Sequence, residues 1–238
     1  MSSVAGHQPN LYPYAGFFAK LASVDKFVIA DNTQYVKKEY HNRNRVRLTD
    51  GKIVWLSIPV KNSGRYCQKI NEAEIDNTIN WQRKHESTLL RNYKKAPFFD
   101  LIFPQYYSLY NQKWEKLSDF NIAFIKLTTD ILGIKTPILF ASELGVNGKA
   151  TEYILDICKK SDCDCYMHGK HAYDYVDFSL LEFEGIQNII QSYSAVEYTQ
   201  FNLPFIPNLS VLDLLFHCGN SAYDVIMAGH SEDVRMSE

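Results

Sequence analysis

A polar cluster close to the amino terminus carries the side chains best suited to chemistry. It consists of His7, Gln8, Asn10 and Asp31. Imidazole is the commonest general base near neutral pH, and amide groups orient a substrate or stabilise an oxyanion as it forms. We therefore take His7 as the candidate base, Gln8 and Asn10 as its amide partners, and Asp31 as the group that could orient His7. The simpler alternative is a turn whose polar side chains only cap backbone groups.

Basic side chains near this cluster predict an anionic ligand, because Arg can donate two hydrogen bonds to a pair of phosphate or carboxylate oxygens and Lys supplies a compact positive charge. The candidate substrate-binding residues of this region are Lys20, Gln34, Lys38, Asn42, Arg43 and Arg45. Residues 1–95 contain 16 Lys and Arg against 8 Asp and Glu (+8), whereas residues 96–238 contain 9 against 19 (−10). This asymmetry suits an anion held by the first part, docking between the two parts, or two surfaces that merely differ in sign.

The predicted elements place this cluster at one edge of a sheet. Residues 3–6 read as a strand, 7–10 as a tight turn, 12–24 as a helix and 26–30 as a second strand. The helix prediction rests on Phe17, Leu21 and Val24, which are spaced four and three residues apart on one face. In doubly wound α/β folds ligands bind beyond the carboxyl ends of the strands, where His7 and Asp31 would both lie.

The following stretch predicts a hairpin with an arginine face. Asp50-Gly51, a strong two-residue turn signal, joins two strands within residues 44–60. Arg45 and Arg47 would share one face of the first strand and could line a groove rather than sit in the core.

Helices dominate the middle of the chain, with a helical section over about 77–133. Helices are predicted at 77–95, 98–110 and 114–132. Asn77 is a plausible N-cap of the first. Its buried stripe is Trp81, His85, Leu89 and Tyr93. A histidine in such a stripe is more often a hydrogen-bonded core residue than a functional one, and His85 remains a substrate-binding candidate beside that alternative.

A second strand–helix–strand unit follows. Buried strands are predicted at 136–142 and 164–168, with a helix at 150–159 between them. Ser142, the last substrate-binding candidate, ends the first of these strands. Asn147-Gly-Lys149 starts the helix and could cradle a phosphate, although the pattern is far short of a P-loop. Residues 180–191 read as one or two strands, 209–217 and 221–227 as helices (the first capped by Asn208), and the tail from residue 230 as frayed.

These patterns together indicate an α/β fold in a single domain over residues 1–238. We expect a mixed or mostly parallel sheet with the strand–turn–helix–strand unit at its start and a helical middle section. No apolar run approaches the roughly 20 residues of a membrane helix and no secretory signal is visible, so we expect a cytoplasmic protein. Cys163-Asp-Cys165 lacks the Cys-x-x-Cys hook of zinc sites, and we expect neither a metal site nor a tightly bound cofactor.

Motifs spread along the chain match those of one family. They are HQPN-x-x-P-x-x-G-x-F-x-K from His7, F-V-I-x-D-x-x-Q-Y-x-K-K from Phe27, NRNR from Asn42, WLSIPV from Trp55, and shorter matches at 81–85, 93–99, 198–200 and 209–216. The chain therefore resembles the WbqC-like family, over nearly its whole length. The resemblance implies a part in bacterial surface-polysaccharide (O-antigen or capsule) biosynthesis, where glycyl transfer to a sugar has been proposed for members.

What the resemblance implies is an acyl or aminoacyl transferase acting on an amino sugar, most simply a nucleotide-linked one. His7 would take the proton of the incoming amine, the basic side chains would hold phosphates, and Asp31 could also accept a sugar hydroxyl or bind the amine. The partners would be a phosphorylated sugar and a donor: a CoA or carrier-protein thioester, an aminoacyl-tRNA or a free amino acid. No cysteine falls in the amino-terminal cluster, which favours direct transfer over a covalent acyl-enzyme.

Two other functions stay open. One is nucleotidyl transfer, because the first unit is similar to the nucleotidylyltransferase-like fold, although the HxGH motif of that fold is absent. The other is a non-catalytic module that binds anions or nucleic acid, with Arg43 and Arg45 beside Tyr35 and Tyr40 on a phosphodiester backbone. The acidic second part of the chain argues against a broad nucleic-acid footprint.

Overall fold

The computed structural model describes residues 1–201 and 204–235. Its strands are β1 (Ser3–His7), β2 (Lys26–Ile29), β3 (Arg43–Arg47), β4 (Ile53–Ser57), β5 (Ile138–Phe140), β6 (Cys165–Gly169), β7 (Gln187–Tyr193) and β8 (His230–Val234). Its α-helices are α1 (Ala15–Ala22), α2 (Trp81–Tyr93), α3 (Phe99–Tyr110), α4 (Leu117–Ile131), α5 (Ala141–Leu144), α6 (Thr151–Ser161), α7 (Phe178–Phe183), α8 (Val211–Cys218) and α9 (Ala222–Ala228).

Six of these strands form a mostly parallel sheet in the order β5-β2-β1-β6-β7-β8. The first five in this order are parallel to their neighbours, whereas β8 pairs antiparallel with β7. Strands β3 and β4 make a separate antiparallel hairpin. A mostly parallel sheet with helices around it confirms the predicted α/β class.

The strand order reverses its direction next to β1. The chain steps outward from β1 to β2 and β5 on one side, and then returns to β6 on the other side and continues to β7. In open α/β sheets the carboxyl ends of the strands at such a reversal frame the ligand crevice. His7 ends β1 and Gly169 ends β6, so these two residues mark the place where a ligand is expected.

Helices supply most of the core that supports this crevice. Helix α1 has the sequence AGFFAKLA, and every residue from Gly16 to Leu21 is buried. A helix that is apolar on all sides is normally an internal one, and Lys20 is its one charged residue. Aromatic side chains of α2, α4 and α8, among them Trp81, Phe120 and Phe216, fill the main hydrophobic cluster. No described helix combines the length and apolar character that a bilayer crossing requires.

Two predicted segments have a different structure. The prediction of strand from residue 180 is wrong, because residues 178–183 form α7, which begins where the Asp177 side chain accepts a hydrogen bond from the Leu180 backbone N–H. The prediction of a frayed tail is also wrong for residues 230–234. This polar segment forms β8 through backbone pairing with β7, although its side chains are mostly exposed.

Smaller differences concern caps and burial. Helix α2 is capped by Asn80 rather than Asn77, and α8 by Ser210 rather than Asn208. Arg47 does not line a groove, because it is buried and donates to the Gln200 side chain at 3.0 Å.

Candidate active-site cleft

A crevice opens between β1 and β6 towards their carboxyl ends. Strand β1 pairs with β2 from Val4 to His7, but with β6 at Ser3 and Val4. Beyond this point the Gly6 backbone N–H donates to the Tyr166 hydroxyl at 3.1 Å. A Cβ at Gly6 would lie 2.8 Å from that oxygen, so glycine is what allows the tyrosine to bridge the two strands at the base of the crevice.

Two cavities meet in this crevice. The first lobe, of about 500 Å³, lies beside the start of α1 and includes Asn10, Arg45 and Tyr193. The second lobe, of about 870 Å³, lies beside the start of α6 and includes Lys149 and His168. The residues that line both lobes, which we call the neck, are His7, Lys20, Gly169 and Tyr175.

Lys20 is the principal cation of the neck. It is only 7% exposed, and among the described residues its ammonium group has neither a hydrogen-bond acceptor nor a carboxylate. Burial therefore lowers the pKa of Lys20 to about 8. Gly169 lies beside it, since a Cβ there would be in van der Waals contact with Nζ at 3.4 Å. An unpaired buried ammonium is costly in the free protein, so a ligand that supplies negative charge would be bound strongly here.

His7 faces the same space with one nitrogen available. Its Nδ1 lies 2.9 Å from the Gln8 carbonyl oxygen, so Nδ1 carries the proton and Nε2 keeps its lone pair. The ring packs edge-on against Phe17 at a centroid distance of 5.0 Å. Burial, then the charge of Lys20 and then His41 lower the pKa of His7 to about 4, against the opposing effect of the Gln8 carbonyl. The imidazole is therefore neutral at physiological pH and able to accept a proton.

A directional chain of hydrogen bonds fixes Gln8. The Val36 N–H donates to His41 Nδ1 at 3.2 Å, and His41 Nε2 donates to Gln8 Oε1 at 2.9 Å. Gln8 Nε2 in turn donates to the Thr33 hydroxyl at 3.1 Å, which donates to the Ala30 carbonyl at 2.9 Å. The amide is thus held in one orientation, and its second N–H is left over for a ligand in the second lobe.

His168, at the end of β6, is a second neutral imidazole. Asn188 Nδ2 donates to the Ile186 carbonyl, which turns Oδ1 towards His168 Nε2 at 2.8 Å. His168 Nδ1 is therefore the acceptor nitrogen, and it is buried without a partner. Burial, with the charges of Lys20 and Arg235, lowers the pKa of His168 to about 4 against the effect of the Asn188 hydrogen bond.

The lining of the cleft is positive. The basic side chains are Arg45 and Lys170 in the first lobe, Lys69 and Lys149 in the second, and Lys20 in both. Neither lobe contains an Asp or Glu among the residues that line it, although the whole chain carries a net charge of −2. Within the described residues, no group of three or more His, Cys, Asp or Glu side chains could hold a metal ion. The cleft is thus suited to an anionic ligand.

Several of the predicted site residues meet in the cleft, and others do not. His7, Asn10, Lys20 and Arg45 line the first lobe, while Gln8 and Gln34 join His7 and Lys20 in the second. The Asn10 side chain has no hydrogen-bond partner among the described residues. Arg45 donates to the Asn208 carbonyl at 3.1 Å.

Asp31 and Ser142 lie outside both lobes and bind each other. The two carboxylate oxygens of Asp31 accept hydrogen bonds from the backbone N–H and the hydroxyl of Ser142. Asp31 is only 5% exposed, and it makes no contact that would orient His7. The pair joins the end of β2 to the start of α5.

The remaining candidates are also away from the lobes. Arg43 lies over the Trp55 ring at 4.2 Å, Lys38 is exposed in the loop before the hairpin, and Asn42 donates to the Ile58 carbonyl at 2.8 Å. His85 is fully buried, with Nδ1 2.8 Å from the Tyr12 hydroxyl and Nε2 3.1 Å from the Ser57 carbonyl. These contacts match the structural alternative given for His85.

Sequence reasoning missed part of the cleft. Lys69 and Tyr175 carry no local signal, because their position depends on how distant loops fold over the sheet. His168 had a usable signal, since it precedes the glycine at the end of a predicted strand. Lys149 belongs to the Asn147-Gly-Lys149 pattern, which the structure places on the wall of the second lobe.

Comparisons with known proteins identify the family of the chain. The model of the WbqC-like protein family matches residues 8–225. The chain is also similar to the uncharacterized protein Rv1507c of Mycobacterium tuberculosis, with 32% identity over 228 residues that cover 95% of this chain and 98% of that protein. No solved structure matches the chain.

Proposed function

The chain belongs to the WbqC-like protein family, and we propose that it is a transferase that moves an acyl or aminoacyl group onto the amine of a phosphorylated, nucleotide-linked sugar. We further propose that this sugar is a precursor of a bacterial surface polysaccharide, O-antigen or capsule, as the family resemblance implies. Glycyl is the aminoacyl group that the resemblance favours.

The observation that carries the proposal is the neck between the two lobes. A transfer reaction needs two substrates that approach one another from different sides, with the proton acceptor where they meet. His7 and Lys20 line both lobes. A donor in one lobe and an acceptor in the other would therefore react beside the same imidazole and the same ammonium group.

The proposed chemistry uses atoms of the neck and of the two lobes beside it. The acceptor amine attacks the carbonyl carbon of the donor, so a C–N bond forms and the bond to the leaving group breaks. His7 Nε2 accepts the amine proton and returns it to the leaving group. Asn10, from the first lobe, and the second N–H of Gln8, from the second lobe, would donate to the oxyanion, and Lys20 would neutralise the negative charge of the phosphorylated substrate.

Nucleotidyl transfer fits this lining less well. That reaction normally uses Mg²⁺ held by one or two protein carboxylates together with the substrate phosphates. The residues that line the two lobes include no carboxylate. Tyr35, which a nucleic-acid-binding surface would need on the outside, is only 5% exposed.

A transfer assay tests the proposal. A uridine-diphosphate-linked amino sugar is incubated with glycyl-CoA, with a glycyl carrier-protein thioester, with glycyl-tRNA, or with glycine and ATP, and mass spectrometry detects the amide product. We expect His7→Gln to lower turnover by about 10²–10⁴-fold with an unchanged Tm. The control is His171→Gln, because His171 lines the first lobe but is exposed. Full turnover in His7→Gln, or no amide with any of these donors, would contradict the proposal.

A further inference from the structure

The second lobe ends against a helix start that lacks its usual cap. Helix α6 has 11 residues, and its N-cap, Ala150, offers no side-chain acceptor to the free backbone N–H groups of the first turn. Asn147, Gly148, Lys149 and Ala150 all line the lobe. Glu152, the carboxylate of the first turn, does not line it. The Glu152 N–H donates to the Lys149 carbonyl at 3.1 Å, so within the described residues the Thr151 and Tyr153 N–H groups remain without an acceptor, and Tyr153 lines the cavity. The positive dipole end of α6 therefore lies beside the second lobe.

The loop before α6 is held in a conformation that a larger residue would not allow. Gly148 has φ +96°, and a Cβ there would lie 2.9 Å from Glu152 Cβ and 3.1 Å from the Glu152 carbonyl carbon. The Asn147 N–H is tied to Asp156 Oδ2 at 2.8 Å. The loop is thus packed closely on its own helix, and its residues line the second lobe.

Independent side chains in the same lobe also lack a partner. Lys20 is 7% exposed and His168 is 1% exposed. Among the described residues the Lys20 ammonium has no hydrogen-bond or ion-pair partner, and burial alone lowers its pKa; Nδ1 of His168 is buried without a partner. Lys69 and Lys149 add two further positive charges to the lining. A buried cation without an anion is costly, so Lys20 points to an anionic ligand rather than to a structural role.

We infer that the second lobe is a diphosphate-binding subsite. One phosphate is held by the Lys20 ammonium at the neck, and the other by Lys149 and the backbone N–H groups at the start of α6. This inference rests on the proposed function and assigns its substrates to lobes: the diphosphate of the acceptor occupies the second lobe, and the acyl or aminoacyl donor occupies the first.

Binding of inorganic pyrophosphate, measured by isothermal titration calorimetry, tests the assignment. Lys149→Ala and Lys170→Ala are matched variants, because both lysines are exposed and each lines one lobe. We expect Lys149→Ala to weaken pyrophosphate binding about three- to tenfold and Lys20→Met by more than about tenfold, while Lys170→Ala changes it less than about twofold. Equal losses in the two alanine variants, a loss confined to Lys170→Ala, or full affinity in Lys20→Met would each overturn it.

The outcome is separable from that of the transfer assay. If the protein binds pyrophosphate as described but forms no amide, the proposed subsite stands and the proposed transferase function is wrong. If the protein forms the amide but its affinity for pyrophosphate falls only in Lys170→Ala, the proposed transferase function stands and the proposed subsite is wrong. The affinity for uridine diphosphate, measured in the same way, shows whether the diphosphate belongs to a nucleotide. If uridine diphosphate binds more tightly than pyrophosphate, the lobe also accepts the nucleoside.

Discussion

Replacing Lys20 by Met removes a buried positive charge but keeps a side chain of similar length. Burial lowers the pKa of Lys20 from its usual 10.5 to about 8. At about 1.4 kcal/mol per pH unit, the charged form then costs the folded, ligand-free protein about 3 kcal/mol at pH 7. Since the ammonium makes no hydrogen bond or ion pair within the described residues, the substitution breaks none. We therefore expect Lys20→Met to be more stable than the native protein at pH 7, by about 1–3 kcal/mol.

The sign of the pH dependence follows from proton binding. The unfolded chain, with the higher pKa, holds more protons at Lys20 than the folded protein does, so the stability of the native protein rises with pH as the window from about 8 to 10.5 is crossed. Met at this position does not titrate. The stability advantage of Lys20→Met should therefore shrink to below about 1 kcal/mol at pH 10.

Urea unfolding at pH 7, 8, 9 and 10 measures this difference. The control is Lys170→Met, since Lys170 lines the first lobe but is exposed, and its stability should stay within about 0.5 kcal/mol of the native value at each pH. A Lys20→Met protein that is less stable at pH 7, or an advantage that does not change with pH, would refute the description of Lys20 as a buried and unpaired cation.

Three further predictions concern the cleft and its surroundings. Gly148→Ala should lower the free energy of unfolding by about 2–3 kcal/mol and Gly133→Ala by about 1 kcal/mol. Both glycines have a positive φ, but a Cβ at Gly148 would clash with Glu152, whereas a Cβ at Gly133 has no neighbour within 4 Å. Equal shifts in melting temperature would contradict this. Asp31→Asn should lower the free energy of unfolding by about 1–2 kcal/mol through its bonds to Ser142, and pyrophosphate binding should be unchanged; an unchanged stability with lost turnover would instead make Asp31 catalytic. Pyrophosphate affinity should fall as pH rises through about 8, where Lys20 loses its charge, and calorimetry on Lys20→Met should show no such fall.

The sequence predicted those parts of the site that depend on local pattern. His7 follows a short apolar strand and precedes a proline turn, so its place at a strand end can be inferred from neighbouring residues alone. The position of Lys149 before a helix is local in the same way. The burial of Lys20 is not, because it depends on segments that are far away in the sequence, such as the end of β6 with Gly169 beside the ammonium group. A lysine in the apolar sequence AGFFAKLA is nevertheless a visible signal of an internal charge.

Asp31 and Ser142 show why pairing between residues at strand ends cannot be predicted from the sequence. Each residue was predicted at a strand end, and each lies two residues beyond the last residue of its strand, β2 or β5. Because these strands are neighbours in the sheet, the two side chains satisfy one another and are not directed to a ligand. The order of the strands decides this outcome, and no local pattern contains it. Strand β8 was not predicted for a related reason, since its pairing with β7, rather than its own polar sequence, makes it a strand.

The most direct test of the central claim is a crystal structure of the protein with a bound uridine-diphosphate-linked amino sugar. We predict that the ligand spans the crevice between β1 and β6, with a phosphate oxygen within hydrogen-bond distance of Lys20 Nζ and the sugar amine next to His7 Nε2. A ligand bound elsewhere, with the Lys20 ammonium still unpaired, would contradict it.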